Sequence, residues 1–149
     1  MKWKIKSFNE LSVDELYKIL ELRSKVFVVE QECIYQDCDR KDIGAYHLFC
    51  IDNDKVVATL RILIKEVSYP EISIGRVAVD KEYRRKHLGR KSMEMAIDFI
   101  KETYGDSPIR ISAQLYVKDF YKSLGFREVS DIYLEDDIPH IEMLYEMKN

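Results

Sequence analysis

The sequence is short of most features that announce a special class of protein. It has no apolar run long enough to cross a bilayer, which excludes a transmembrane helix. Its opening residues, Met1 to Lys6, are basic with no apolar stretch behind them, which does not read as a signal peptide and sets the expectation of a cytoplasmic protein. Five glycines and three prolines are too few and too scattered to form a linker, and no repeat appears, so a single domain over residues 1–149 is expected. The three cysteines, Cys33, Cys38 and Cys50, are odd in number and form no CxxC pair. Neither a disulfide framework nor a zinc knuckle is supported. There is no basic excess: the formal net charge is -3, against the basic face of a nucleic-acid binder. The histidines at 47, 87 and 140 lack metal-site spacing.

What is present is a core's worth of apolar residues, 46% of the chain, and charge gathered into two clusters of opposite sign. Lys81 to Lys91 carries six basic residues against one acid. Glu30 to Asp42 carries five acids against two bases. Trp3 to Phe8 alternates as a strand does. Ser12 with Glu15 is a capping box ahead of a helical stripe running from about Val13 to Val28. The acidic stretch to Gly44 reads as a loop with a short helical turn. Strands follow at Tyr46 to Asp52 and Val56 to Val67, joined by an Asp-Asn-Asp turn. A further strand, Ile72 to Val79, is apolar on both sides near its end, with Gly75 marking a bulge or a close approach. Helices at Leu88 to Thr103 and Val117 to Leu124 flank a strand at Ile109 to Ala113. Two last strands are predicted at Arg127 to Tyr133 and His140 to Met147. This order gives an α/β (α+β) fold with one mixed central sheet of about six to seven strands.

The junction between Val79 and Leu88 carries the chemistry. A buried strand runs into Arg84-Arg85-Lys86-His87, and a helix starts at Leu88-Gly89. First-turn amides have no intrahelical partner and sit at the positive end of the helix dipole. Basic side chains at that end are unfavourable unless an anion offsets them. The arrangement suits a phosphate or pyrophosphate.

These residues resemble the coenzyme A signature of the GNAT acetyltransferase superfamily, Arg/Gln-x-x-Gly-x-Gly/Ala after a strand. Arg84 and Gly89 match, and His87 replaces the first glycine. If that slot needs a left-handed backbone, the replacement costs roughly 1–2 kcal/mol. Downstream, Gln114, Val117, Tyr121 and Gly125-Phe126 resemble the family's Asn-x-x-Ala-x-x-x-Tyr-x-x-x-Gly-Phe. Leu22 to Tyr35, Ile74 to Val77 and Tyr133 to Met143 are similar to the ElaA-type branch, with Asp137 standing where that branch usually has glycine. The resemblance implies a GNAT fold with helices on both faces of the sheet, and acetyl-CoA as cosubstrate. It implies a coenzyme site formed by Val77, Ala78, Val79, Arg84, Arg85, Lys86, His87, Leu88, Gly89, Arg90, Gln114 and Tyr121. In it the pantetheine arm enters between the splayed strands Ser73 to Val79 and Ile109 to Ala113, and pairs with the backbone of Val77 and Val79. Tyr121 is the implied general acid toward the departing thiolate, and a homodimer is a further expectation by resemblance.

Direct attack by an amine needs a base, because alkylammonium groups are protonated near neutrality. Candidates are Glu30, Glu135 and His140, with Asp39, Asp42 and Asp136 nearby in sequence. Glu30 follows the apolar run Val26 to Val29, so it is expected to be partly buried and paired with Arg23 or Arg76. Asp37, Asp39 and Asp42 read as a solvated face. Arg23 to Phe27 followed by Asp39 and Asp42 also resembles acyl-homoserine-lactone synthases, which gives a second reading. A coenzyme A-binding sensor without activity is a third.

Overall fold

The computed structural model describes residues 1–147. Strand β1 (Lys2–Ser7) leads to helix α1 (Val13–Arg23), whose axis continues as a π-helical segment over Ser24–Glu30. Strands β2 (Tyr46–Asp52), β3 (Lys55–Leu63) and β4 (Ile72–Val79) follow, then α2 (Leu88–Tyr104), β5 (Ile109–Gln114) and α3 (Lys118–Ser123). The chain ends in β6 (Arg127–Glu128), β7 (Tyr133–Glu135) and β8 (Ile138–Tyr145). Among the described residues all eight strands form one sheet in the order β1-β2-β3-β4-β5-β8-β6, with β7 also on β8. Every pair is antiparallel except β4 with β5.

Alternation along β2 explains the layers. Leu48 packs with Met93, Ala96 and Ile100 of α2, while its neighbour Phe49 packs with Ile19 and Leu22 of α1. Successive residues of a strand point to opposite faces, so the two helices cover opposite sides of the sheet. The capping box closes as predicted: the Glu15 amide donates to Ser12 Oγ at 3.0 Å and the Ser12 amide to Glu15 Oε1 at 2.9 Å.

Several boundaries differ from the sequence reading. Beyond Arg23 the first helix widens into π turns. β3 stops at Leu63 rather than Val67, because the loop turns at Glu66, whose φ is 68° and whose amide donates to the Tyr69 carbonyl at 2.8 Å. The strand expected over Arg127 to Tyr133 is two strands, which raises the count to eight. Ser130 interrupts it, and its hydroxyl accepts from the Glu142 amide at 2.9 Å. β8 starts at Ile138, two residues early, since Asp136 and Asp137 (φ 51° and 62°) close a two-residue hairpin turn with β7.

The largest correction concerns the acidic loop, which is folded inward. Arg23, whose side chain is 1% exposed, donates to both oxygens of Asp42 at 2.7 and 3.2 Å and to Asp37 Oδ2 at 3.0 Å. Arg61 of β3 donates to both oxygens of Asp39 at 2.8 Å and to Asp42 at 3.0 Å. Arg76 of β4 pairs with Asp37 at 2.8 Å and with Asp39 at 3.5 Å. Buried guanidiniums require such partners, and bidentate geometry matches arginine to carboxylate. Burial opposes ionisation of Asp42, yet Arg23 and Arg61 outweigh it and hold the carboxyl below the usual carboxylate range. Beside this network His47 donates from Nε2 to the Asp42 carbonyl at 2.9 Å, and burial pushes its pKa down, so it stays neutral.

Two outcomes follow. Asp42→Asn removes the counter-charge that two buried guanidiniums share and lowers unfolding free energy by about 3 kcal/mol in urea titration. In the wild type, Asp42 carries a depressed folded pKa, so its contribution is complete above the ordinary value of 3.8 and is lost as pH falls below it. Acid titration of Asp42→Asn therefore shows a shallower loss of stability below that pH.

Candidate active site

The site begins where β4 parts from β5. The two strands pair only at Ile72 with Ile109 and Ser73 with Arg110. On its other side β4 carries a bulge: Gly75 stands opposite Arg61 and Ala78 opposite Thr59, so three steps on β4 face two on β3. The bulged residue is Arg76, with φ 53°, a left-handed backbone in a non-glycine residue. Its guanidinium is held by Asp37 and Asp39 and lies 5.5 Å from the Tyr35 ring centre, so the acidic loop fixes the kink from outside. The bulge foreseen from Gly75 falls one residue later.

Past Ser73, β4 presents an edge of backbone amides and carbonyls unpaired with β5. That edge borders a cleft of about 500 Å³, lined by Val77 and Val79 of β4, Ile111 and Ser112 of β5, and Phe120 and Tyr121. It adjoins a second cavity of about 290 Å³ at the start of α2, and Val79, Arg84 and Phe120 line both.

The second cavity lies at the loop and helix start that the sequence reading took for a phosphate cradle. Asp80 caps the turn that precedes it, accepting from the Glu82 amide at 3.0 Å. Arg85 (φ 70°) and His87 (φ 59°) are both left-handed, and this folds the loop back over the helix start. His87 is the N-cap of α2 and offers no side-chain cap, so the first-turn amides of α2 face the cavity without that partner. A Cβ built on Gly89 would touch Phe120 and Val79 at an ordinary 3.8 Å; packing alone would admit alanine there. These features fit an anionic ligand. The slot where the family signature has glycine is left-handed, so the condition under which the sequence reading gave His87 a cost is met.

The basic side chains are not all aimed at the cradle. Arg84 turns back to Glu30, Lys86 lies 5.0 Å from the Tyr83 ring centre, and Arg90 donates to Ser123 Oγ at 3.0 Å. Of the coenzyme residues implied by resemblance, Ala78 and Leu88 bury their side chains in the core, so any contact from them is through the backbone. Gln114 donates to Gln31 Oε1 at 3.2 Å across the cleft mouth.

Tyr121 lies in α3 between Phe120 and Phe126, edge-on to each. The helix stops at Gly125 (φ 105°), where a Cβ would come within 3.0 Å of the Tyr145 ring; glycine is required there twice over. Burial pushes the Tyr121 pKa up to about 12. Tyr121 lines the cleft, and among the described residues nothing hydrogen-bonds its hydroxyl. His140, with a side chain 8% exposed, is on the same cleft. Its Nδ1 meets the Ile138 carbonyl at 2.6 Å and must be the donor there, which leaves Nε2 free to accept. Glu135 Oε2 lies 3.4 Å from Nε2, and the Tyr133 ring stacks on the imidazole.

Glu30 is placed otherwise than expected. It is exposed at the end of the π segment, and its partner is Arg84 rather than Arg23 or Arg76, which are committed to the acidic loop. Sequence reasoning missed Tyr35 and Arg61. The signal for Arg61 was there: a guanidinium inside the apolar run of β3 needs a buried carboxylate. Among the described residues no group of three His, Cys, Asp or Glu is arranged to hold a metal.

The profile of the acetyltransferase (GNAT) domain matches residues 12–147. Protein ElaA of Escherichia coli strain K12 is 38% identical over 149 residues, covering 99% of this chain and 97% of that protein. A UPF0039 protein of Schizosaccharomyces pombe is 42% identical over 144 residues, 95% of each chain. The crystal structure of an acyl-CoA N-acyltransferase from Pseudomonas aeruginosa superposes with a TM-score of 0.92 at 37% identity, over 97% of this chain and 99% of that one. The acyl-homoserine-lactone synthase LasI superposes with a TM-score of 0.80 at 12% identity over 97% of this chain and 89% of that one, a likeness of fold alone.

The left-handed N-cap gives a direct test. His87→Gly should unfold at an equal or higher temperature than the wild type, the relieved strain of roughly 1–2 kcal/mol offsetting the entropy of glycine. His87→Val, β-branched at a positive φ, should unfold earlier. Differential scanning calorimetry reads both.

Proposed function

We propose that this chain, which belongs to the GNAT acetyltransferase family, is an N-acetyltransferase that moves an acetyl group from acetyl-coenzyme A directly to a primary amine. Membership makes acyl transfer the general kind of chemistry. The finer reading is supported above all by one juxtaposition: an uncapped helix start, an open strand edge and an unpartnered, half-buried phenol line two adjoining cavities.

When bound, acetyl-coenzyme A would supply an acyl group activated as a thioester. The α2 amides and Arg85 suit its phosphates, and the β4 edge at Val77 and Val79 suits its amide-bearing arm. Tyr121 keeps its proton throughout the physiological range, because burial holds its pKa near 12. That value lies above the reference thiol value of about 8.5, so Tyr121 acts as general acid chiefly by donating a hydrogen bond to the departing sulfur. His140 is the better-placed base. Its tautomer is set by the Ile138 carbonyl, Nε2 accepts the ammonium proton, and Glu135 faces the imidazolium so formed. Glu30 has its carboxylate committed to Arg84, and Asp39 and Asp42 to Arg61 and Arg23.

The same commitment bears on the lactone-synthase reading. The Arg23, Asp39 and Asp42 pattern that suggested it serves here as a buried structural network. A sensor role has no need of a phenol and an imidazole on one cleft.

A thiol-release assay over polyamines, amino acids, aminoglycosides and peptide N-termini tests the reading. Turnover of an amine supports it, and tight acetyl-CoA binding without turnover of any favours the sensor. Tyr121→Phe should lower kcat by about tenfold or more while changing the KM for acetyl-CoA little. His140→Gln should lower kcat by about a hundredfold or more while changing the KM for acetyl-CoA little, read in the same assay.

A further inference from the structure

Arg84 stands where the two cavities join, lining both. Its guanidinium donates to Glu30 Oε2 at 2.5 Å and to Glu30 Oε1 at 2.9 Å. From Nε and Nη2 it also donates to the Val79 carbonyl, at 3.2 and 3.1 Å. Glu30 ends the π segment after α1, and Val79 ends β4. One planar group thus ties the segment bordering the cleft to the last residue of the open strand edge.

The pair is half open to water, with side chains 40% and 31% exposed, so it contributes little to stability. Its geometry is nevertheless bidentate, and an arginine side chain without such a clamp samples many rotamers. A clamp of little structural value at the mouth of a binding cavity calls for a binding role.

We infer that Glu30 is a positioning residue for coenzyme binding. It holds Arg84 flat against the Val79 carbonyl, so that a positive charge stands fixed at the passage from the phosphate cradle to the cleft. The inference rests on the coenzyme reading above. It gives Glu30 a role that acts through Arg84, with no proton transfer: a proton taken up by Glu30 would break the clamp that both of its oxygens form.

Calorimetric titration of coenzyme A into wild type, Glu30→Gln, Arg84→Gln and the double variant tests this. Glu30→Gln should stay folded by circular dichroism and bind about tenfold more weakly, the worth of a charge-assisted hydrogen bond. The double variant should match Arg84→Gln, since a residue acting only through Arg84 has nothing left to act on. Glu30→Asp, which keeps the charge, should recover part of the affinity. With the best amine of the panel, Glu30→Gln should raise the KM for acetyl-CoA and keep the wild-type pH profile. Additive losses in the double variant, or unchanged affinity with a large fall in kcat, overturn the inference in favour of a separate or a basic role. A wild type that fails to bind coenzyme A overturns the coenzyme reading and this inference with it.

Discussion

Three arginines and three aspartates hold the working end of this protein together. Arg23 comes from the end of α1, Arg61 from the middle of β3 and Arg76 from the bulge of β4. None is near another in sequence. The loop carrying Asp37, Asp39 and Asp42 meets all three, so one short segment fastens a helix to two strands. Removing such charges from water is costly, and only their mutual pairing makes the arrangement stable. The left-handed backbone at Arg76 persists because its side chain is held. The open edge of β4 depends on that bulge, and so does the cleft.

The cradle depends on a local imbalance instead. α2 begins without a side-chain cap, in a loop that holds two non-glycine residues in the left-handed region. A helix built for stability alone would begin with serine or aspartate, as α1 does with Ser12. The contrast within one chain is informative. One helix start is closed by its own side chains, and the other is left without a side-chain cap, the arrangement that suits the proposed anionic ligand. The raised pKa of Tyr121 and the set tautomer of His140 are likewise products of burial and of a single backbone carbonyl, with no need of a metal ligand or a charged relay.

Much of this was legible in the sequence. The capping box, the alternation of the strands, the basic loop before α2 and the Tyr121 to Phe126 segment report local physics, and local physics survives folding. What was illegible depended on partners distant in sequence. The acids at 37, 39 and 42 look solvated when read along the chain, and are drawn inward because Arg23 on α1 and Arg61 and Arg76 on strands far downstream meet them. Glu30 looked buried because an apolar run precedes it, but the π widening turns it outward to Arg84. The hairpin at Asp136 and Asp137 was missed because it lacks the glycine that usually marks such a turn.

The bulge in β4 also acts as a phase shift. Ile72 and Ile74 pack toward α2, and an unbroken alternation would keep the even-numbered residues on that face. Ala78 instead packs toward α1, while Val77 and Val79 take the α2 side. The extra residue inverts the parity of the strand halfway along. Strand length and cleft are thereby coupled: a chain one residue shorter at this point would run in unbroken alternation with the same side chains on each face, and what it would lose is the kink beside the cleft.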